Sequence, residues 1–178
     1  MARIHLVGGE KGGVGKSLVA RLLAQYCIDR GLPFTGFDAD RSQGALLRFY
    51  AGYASPVLVD HYESLDAIVE AAMAQADRRV LIDMASHSHA PVTRWMDESQ
   101  LLEVAGEIGL DIVQWHVMDN GRDSAGLLRA LFDQYGPRLQ YVLVQNPVHG
   151  SDFGILERSG LLDRARGFDA RIITLPLA

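Results

Sequence analysis

The amino-acid sequence predicts a single α/β domain over residues 1–178, with a predominantly parallel β-sheet and helices on both faces. A length of 178 residues fits one compact domain of this kind. Strand-like and helix-like runs alternate along the chain, which is the pattern of parallel α/β folds. The main strand-like runs are continuous apolar runs, as expected for parallel strands that are buried on both faces.

The first half of the chain begins with a strand, a glycine-rich loop and a helix. Apolar residues at helical spacing, such as Leu18 and Leu22, predict that helix, and Gly31 followed by Pro33 ends it. The elements predicted in this half are strand Arg3–Val7, helix Ser17–Arg30, strand Pro33–Phe37, helix Ser42–Tyr50, a short strand Val57–Val59, helix Ser64–Ala76 and strand Val80–Met84.

The second half repeats the alternation, with turns at Asp119-Asn120-Gly121 and Gly136-Pro137. Asp123 or Ser124 is expected to cap the helix that follows the first of these turns. The elements predicted in this half are a helical region from Pro91 to Ile108 in one or two pieces, strand Leu110–Met118, helix Ser124–Tyr135, strand Leu139–Gln145, a helical region Phe153–Arg166 broken at Gly160, and strand Ala170–Leu175.

Composition excludes several classes of protein. Hydrophobic residues make up 48% of the chain and charged residues 22%, which excludes intrinsic disorder. Cys27 is the only cysteine, so no disulfide can form within the chain. No apolar run approaches the ~18 residues of a membrane span, and the chain opens directly on a strand without a signal peptide, so we expect a cytoplasmic protein. The net charge of −5 argues against coating nucleic acid through bulk charge.

Only two of the 17 basic residues are lysines, and both lie in the glycine-rich loop, at Lys11 and Lys16. Everywhere else the chain uses arginine. A compact ammonium group fits among backbone amides, whereas a planar guanidinium does not. The distribution therefore indicates that both lysines are required for the geometry of the loop rather than for surface charge.

The segment Lys11–Ser17 (KGGVGKS) lies between the first strand and the first helix, where phosphate-binding loops occur. Its glycines allow successive N–H groups to turn toward one anion, and the helix dipole points to the same place. Lys16 is placed to reach the β- and γ-phosphates, and the Ser17 hydroxyl to ligate Mg²⁺. Glu10 stands where the strict pattern has its first glycine, and a plain glycine turn is the alternative.

Further polar residues follow the predicted strands at their carboxyl ends, where parallel sheets bind ligands. They are Asp38, Asp40, Asp83, Asp119 and Asn146. Asp38 and Asp40 have an alternative role as turn and helix-cap residues, and Asp83 as a strand-end turn residue. His87 and His89 follow Asp83; they would suggest a metal only with a third ligand, and a polar loop is the preferred interpretation.

Lys11 followed by GGVGKS resembles the deviant Walker A motif of the ParA/MinD family of P-loop ATPases, which has the P-loop NTPase (SIMIBI-like) fold. Asp38-Ala39-Asp40 resembles the D-x-D switch segment of that family, and Asp83 resembles its Walker B aspartate. The stretch from Asp119 to Ser124 is similar to segments of small plasmid transfer and stability members of the TraL and StbB types. Members usually continue into further helices after the last strand, so either the chain is a minimal member or it is truncated at Ala178.

The resemblance implies a role for each matching residue. Catalysis would use Lys16 and Asp40 within the subunit and Lys11 in trans across a dimer. Mg²⁺ would be held by Ser17, Asp38 and Asp83, and the base of ATP or ADP would meet Asn146 and Pro176. The remaining nucleotide contacts would come from the loop and the start of the helix, at Gly12, Gly13, Val14, Gly15, Lys16, Ser17 and Leu18.

The activity implied is slow ATP hydrolysis by a homodimer, stimulated by dimerisation or a protein partner, in plasmid partition, transfer or positioning of cargo. DNA is a further implied partner. Arg158, Arg164, Arg166 and Arg171 would provide a basic face, or else a solvated mixed-charge surface. ATP is favoured over GTP because Pro147 follows Asn146 where a guanine-reading N-K-x-D motif would have lysine. A dethiobiotin-synthetase-like enzyme and a nucleotide-sensing scaffold with little turnover are the alternatives.

Overall fold

The protein, described by a computed structural model over residues 1–42 and 44–177, contains one seven-stranded sheet in which all neighbouring strands are parallel. The strands are β1 (Arg3–Gly8), β2 (Phe34–Asp38), β3 (Ala54–Pro56), β4 (Arg79–Asp83), β5 (Asp111–Met118), β6 (Gln140–Gln145) and β7 (Arg171–Thr174).

Helices connect the strands. The α-helices are α1 (Lys16–Asp29), α2 (Ala45–Phe49), α3 (Tyr62–Met73), α4 (His89–Glu98), α5 (Leu101–Ile108), α6 (Arg122–Tyr135), α7 (Gly154–Arg158) and α8 (Leu161–Gly167). No helix within the described ranges combines the length and the apolar character that crossing a membrane requires.

The strand order is β3-β2-β4-β1-β5-β6-β7, which places β1 at the centre. In register, Asp83 at the end of β4 lies beside Val7 of β1 on one side and beside Asp38 of β2 on the other. The carboxyl ends of these three strands therefore share one edge of the sheet. That edge lies at a change in strand order, where α/β sheets bind ligands.

Two hydrophobic layers cover the sheet, one on each face. Helices α1 and α2 pack on one face through residues such as Val19, Ala24 and Leu46. Helices α3 to α8 pack on the other through a larger cluster that includes Trp95 and Phe132. Burial of these apolar side chains is the main favourable contribution to folding.

The predicted α/β class, the parallel sheet and the helices on both faces are confirmed. The break predicted at Gly160 occurs, and the region from Pro91 to Ile108, expected in one or two pieces, forms two helices. Gln100, which separates α4 from α5, has a left-handed backbone with φ of 52°, and Gly160, which separates α7 from α8, has φ of 75°.

The prediction of a strand at Val57–Val59 was wrong. The strand is Ala54–Pro56, which pairs with β2 at the edge of the sheet. Val57 and Val59 are apolar because both pack into the larger core cluster, only 1% and 7% exposed. Burial against helices produced the apolar pattern that was interpreted as strand pairing.

Several helix bounds also differ from the predicted ones. The helix expected at Ser42–Tyr50 begins only at Ala45, and the one expected at Ser64–Ala76 spans Tyr62–Met73. Around the start of α2, the carboxylates of Asp38 and Asp40 accept hydrogen bonds from the backbone N–H groups of Asp40, Ser42 and Leu47.

Candidate nucleotide-binding site

The glycine-rich loop joins the end of β1 to the start of α1. Gly13 and Gly15 have φ of 76° and 100°, a left-handed backbone that residues with side chains rarely adopt. Gly15 is the N-cap residue of α1, and no side chain caps that end of the helix. The first N–H groups of α1 and the positive end of its dipole can therefore interact with an anion.

A cavity of about 360 Å³ lies at this edge of the sheet. It brings together residues predicted separately from the sequence; these are Gly12, Gly13, Gly15, Lys16, Ser17, Leu18, Asp40 and Asp83. Val14 is fully buried in the core and is absent from the lining. A larger cavity, about 730 Å³, lies at the opposite edge near the amino ends of β1, β5, β6 and β7, and no phosphate-loop residue lines it.

Lys16 lies within this site with only 8% of its surface exposed. Its ammonium group donates a hydrogen bond of 2.8 Å to the carbonyl of Lys11, across the loop. Burial lowers the pKa of Lys16, and the charge of Asp83 acts in the opposite direction. The loop thus contains a confined cation, which a phosphate group would neutralise.

Asp83 ends β4 with only 2% of its surface exposed. Among the residues described, its Oδ2 atom has no hydrogen-bond partner. Burial raises the pKa of Asp83 to about 7, although a hydrogen bond from Ser17 and the charge of Lys16 lower it. A buried, unpartnered carboxylate oxygen beside the Ser17 hydroxyl fits Mg²⁺, which binds through oxygen ligands and keeps several of its waters.

Replacing Asp83 by Asn is expected to make the unfolding free energy less sensitive to pH. The folded pKa of about 7 lies above the unfolded value of 3.8, so Asp83 makes the protein less stable as pH rises between them. That loss is about 1.4 kcal/mol per pH unit. Urea unfolding of both proteins between pH 5 and pH 8 measures it. Parallel pH profiles for the two proteins would contradict the assignment of the buried carboxylate.

Asp38 uses both carboxylate oxygens to order the segment before α2. Oδ1 accepts a hydrogen bond from the N–H of Asp40, and Oδ2 accepts one from the N–H of Leu47, both at 3.0 Å. Because Asp38 is 2% exposed and does not line the cavity, these contacts favour the turn-and-cap alternative for this residue. The role of Asp38 as a metal ligand stays a prediction.

Asp40 lines the cavity directly. Its Oδ1 atom accepts hydrogen bonds from the backbone N–H of Ser42 at 2.9 Å and from the Ser42 hydroxyl at 2.8 Å. These local bonds form a turn that presents the carboxylate to the cavity. The position is consistent with the predicted role of Asp40 toward an attacking water, which stays a prediction.

Lys11 is held within its own subunit. Its ammonium group donates a hydrogen bond of 2.7 Å to Oδ2 of Asp119, and its side chain is 31% exposed. The hydrogen bond to Asp119 raises the pKa of Lys11. Both residues are site candidates from their sequence positions, but their contact was not predicted, because it joins positions 108 residues apart.

The turn after β5 also differs from expectation. The N-cap of α6 is Gly121, so the prediction that Asp123 or Ser124 caps this helix was wrong. Ser124 instead donates its hydroxyl hydrogen to Asp119 Oδ1 at 2.7 Å. Nothing in the local sequence pattern distinguishes this contact from a cap, because both use a small polar side chain near a helix start.

Asn146, which follows β6, lies against the phosphate loop. Its Nδ2 atom donates to the carbonyl of Val14 at 2.8 Å, and a Cβ atom added to Gly15 would lie only 2.4 Å from it. Pro176 is exposed and follows Leu175, whose N–H donates to the Gln145 carbonyl at 2.9 Å. Asn146 thus supports the loop from the neighbouring strand, while the base contacts predicted for Asn146 and Pro176 stay predictions.

Replacing Asn146 by Ala is expected to loosen the phosphate loop. The Val14 carbonyl loses its side-chain donor, which costs about 1 kcal/mol of stability. Because the loop is then less ordered, we expect the Kd for ADP to rise roughly ten-fold. Thermal unfolding and calorimetric titration measure the two effects. An ADP affinity equal to that of the unaltered protein would contradict this role.

His87 lies in the segment between β4 and α4, and His89 is the first residue of α4. Residues 1–42 and 44–177 contain no cluster of three or more His, Cys, Asp or Glu that could hold a metal ion. The two histidines therefore do not gain the third ligand that a metal site would require there.

No protein-family model matches the chain. It is 28% identical over 158 residues to Protein TraL of Escherichia coli and 27% identical over 151 residues to Protein MobD of Acidithiobacillus ferrooxidans. In both cases the match covers 84% of this chain and 65% of the relative. The chain thus spans slightly less than two thirds of the length of these curated relatives.

Solved structures resemble the fold. A plasmid partition protein from Borrelia burgdorferi gives a TM-score of 0.62 at 12% identity, covering 97% of this chain and 88% of the other. The MinD cell division protein of Aquifex aeolicus gives 0.57 at 17% identity, covering 99% and 82%. A nucleotide-binding protein from Archaeoglobus fulgidus, in complex with ADP, gives 0.58 at 18% identity with the same coverage. The chain therefore has the fold of the ParA/MinD-type P-loop NTPases and is related in sequence to TraL and MobD.

Proposed function

We propose that the chain binds ATP with Mg²⁺, dimerises in the ATP-bound form and hydrolyses ATP slowly. One observation carries this proposal: a single cavity joins the phosphate loop, the buried Lys16, Ser17, Asp40 and Asp83, whose Oδ2 atom lacks a hydrogen-bond partner within the described part of the chain. Each of these groups suits a different part of a nucleoside triphosphate or its metal ion. A plain glycine turn would require none of them.

Binding would begin at the loop. Its backbone N–H groups and the amino end of α1 would contact phosphate oxygens, with Lys16 supplying the charge. Ser17 and Asp83 would hold Mg²⁺, Asp83 through water. Bound Mg²⁺ neutralises charge on the β- and γ-phosphates. Asn146 would keep the loop in position from β6 and contact the base.

Hydrolysis would use the residues at the cavity edge. A water oxygen bonds to the γ-phosphorus, the bond to the β–γ bridging oxygen breaks, and ADP and inorganic phosphate leave. Asp40 would orient that water from the 38–42 segment. Lys11 of a second copy would add a positive charge where the transition state gains negative charge, as arginine fingers do.

The biological use we propose is partition, transfer or positioning of plasmid cargo in the cytoplasm, with a protein partner that stimulates turnover. The sequence relationship to TraL and MobD and the fold shared with a plasmid partition protein support this use. DNA is a weaker partner candidate. Arg164 and Arg166, which belong to the predicted basic face, pair with Asp133 at 2.6 Å and with Asp163 at 2.9 Å.

A second candidate function is nucleotide sensing with little turnover. The observation that favours it is the contact of Lys11 with Asp119, which keeps this ammonium group in its own subunit. A chain that never releases Lys11 would bind ATP through Lys16 yet lack the second cation. Dependence of turnover on protein concentration separates the two candidates.

Calorimetric titration with ATP, ADP and GTP in Mg²⁺, followed by turnover measurements over a range of protein concentrations, tests the proposal. We expect ATP and ADP to bind one per chain, and GTP to bind at least about ten-fold more weakly. Turnover per chain should rise with protein concentration, because each site would need a partner copy. No uptake of adenine nucleotide would refute the proposal, and turnover independent of concentration would refute its dimer part.

A further inference from the structure

The two carboxylate oxygens of Asp119 accept hydrogen bonds from different groups. Oδ2 accepts the hydrogen bond from Lys11 at 2.7 Å. Oδ1 accepts hydrogen bonds from the N–H of Gly121 at 3.1 Å and from the Ser124 hydroxyl at 2.7 Å. With 1% of its side chain exposed, the carboxylate is fixed by the turn before α6 and cannot follow Lys11 if Lys11 moves.

Gly121 makes room for this ion pair. A Cβ atom added there would lie 3.2 Å from the Lys11 ammonium nitrogen and 3.2 Å from Asp119 Oδ1. Contacts that short are tighter than a Cβ atom normally makes, so a methyl group there would require Lys11 or Asp119 to shift by a few tenths of an ångström. The φ of Gly121 is −82°, which any residue can adopt, so space rather than backbone conformation accounts for the fit of glycine here.

The electrostatics agree with the geometry. Burial alone would raise the pKa of Asp119, but hydrogen bonds from Lys11, Ser124 and Gly121 outweigh it and lower the pKa to about 2. Asp119 is therefore ionised throughout the neutral range. Two further titratable side chains lie near the pair: the charge of Asp123 acts on Lys11, and the Nε2 atom of His149 lies 3.9 Å from Asp119 Oδ2.

We propose that Asp119 is a positioning residue that holds Lys11 in its own subunit, and that Lys11 leaves it for the triphosphate bound to a second copy. This inference rests on the proposed function. The exchange leaves a buried carboxylate without its cation, so only a ligand with higher charge than a diphosphate offsets the loss. Asp119 thereby sets the ATP concentration needed for dimerisation and prevents two ADP-bound copies from associating.

The variant Asp119→Asn tests this directly. Asn keeps one oxygen that accepts hydrogen bonds from Ser124 and Gly121. Its amide NH₂ group, which faces Lys11, cannot accept the hydrogen bond that Lys11 donates. We expect the concentration of a non-hydrolysable ATP analogue that gives half dimer to fall about ten-fold, since a larger fraction of chains has Lys11 released. Calorimetric affinity for ADP should stay within about two-fold, because Lys16 and the loop are unchanged.

Two further variants separate positioning from a structural effect. Gly121→Ala, which crowds the ion pair while keeping both of its members, should also lower the analogue concentration that gives half dimer. Ser124→Ala removes a hydrogen bond to Oδ1 and leaves the ion pair, so it should lower the thermal unfolding midpoint without lowering the threshold. An analogue concentration for half dimer in Asp119→Asn equal to that of the unaltered protein would overturn the inference, whatever Gly121→Ala shows.

The experiment distinguishes failure of this inference from failure of the proposed function. If the unaltered protein dimerises with the ATP analogue and Asp119→Asn has the same threshold, Asp119 does not position Lys11 and the proposed function stands. If no variant dimerises although all bind nucleotide, the dimer mechanism fails and the inference falls with it. A parallel loss of ADP affinity in Asp119→Asn would also overturn it, because the residue would then act on the site as a whole.

Discussion

Replacing Lys11 by Ala is expected to abolish ATP turnover while nucleotide binding persists. Lys11 contacts Asp119 and does not line the phosphate cavity, so ADP should bind within about three-fold of its usual affinity. Turnover should fall by about 10³-fold, because loss of a charge-neutralising cation in phosphoryl transfer has effects of this size. Steady-state phosphate release and calorimetric titration with ADP measure the two quantities.

A matched control accounts for the structural effect of this change. Lys11→Ala leaves the buried carboxylate of Asp119 without its ion pair, which lowers stability. The double variant Lys11→Ala with Asp119→Asn removes that charge as well, so it should recover stability but not turnover. Normal turnover in either variant would rule out a role for Lys11 in hydrolysis and would favour the view that only Lys16 acts on the phosphates.

Replacing Lys16 by Ala is expected to abolish nucleotide binding itself. Lys16 is the buried cation of the cavity, and its loss removes charge-assisted hydrogen bonds to phosphate. At about 1.5–3 kcal/mol for each such bond, the Kd for ADP should rise about 100-fold or more. Titration with ADP in Mg²⁺ checks this.

The conservative variant Lys16→Arg sharpens the same test. The hydrogen bond of Lys16 to the Lys11 carbonyl leaves the ammonium group inside the loop, where a planar guanidinium has a different shape and donor geometry. We therefore expect Lys16→Arg to bind ADP almost as poorly as Lys16→Ala. Affinity restored by Arg would mean that positive charge alone is sufficient and that the geometry inferred from the two lysines is incorrect.

The phosphate loop could be predicted because its chemistry lies in consecutive residues. Lys11–Ser17 combines glycines, lysine and a hydroxyl between a strand and a helix, and local backbone preference fixes the turn. The gathering of Asp40 and Asp83 at the cavity could also be predicted, since carboxyl ends of parallel strands share one edge.

The pairing of Lys11 with Asp119 could not be predicted in the same way. The two residues are separated by 108 positions, and their contact depends on the order of β1 and β5 and on the space that Gly121 leaves beside the pair. Asp38 illustrates the same limit. A carboxylate at a strand end suits a metal site or a helix start equally well, and the hydrogen bond from the N–H of Leu47 shows the second use without testing the first.

The short strand at the edge of the sheet was also predicted at the wrong residues. Val57 and Val59 have the composition of a strand, but their burial comes from packing against the core, and the short strand Ala54–Pro56 carries little apolar signal. Strand propensity reflects burial on a pleated surface as much as backbone preference, so a short apolar run at a sheet edge is ambiguous.

Light scattering of the unaltered protein with Mg²⁺ and either ADP or a non-hydrolysable ATP analogue tests most directly whether the site is a dimerisation switch. We predict the 19.5 kDa mass of one chain in ADP and twice that mass in the ATP analogue. A mass of one chain in both nucleotides, at concentrations where calorimetry shows the site to be saturated, would contradict the account.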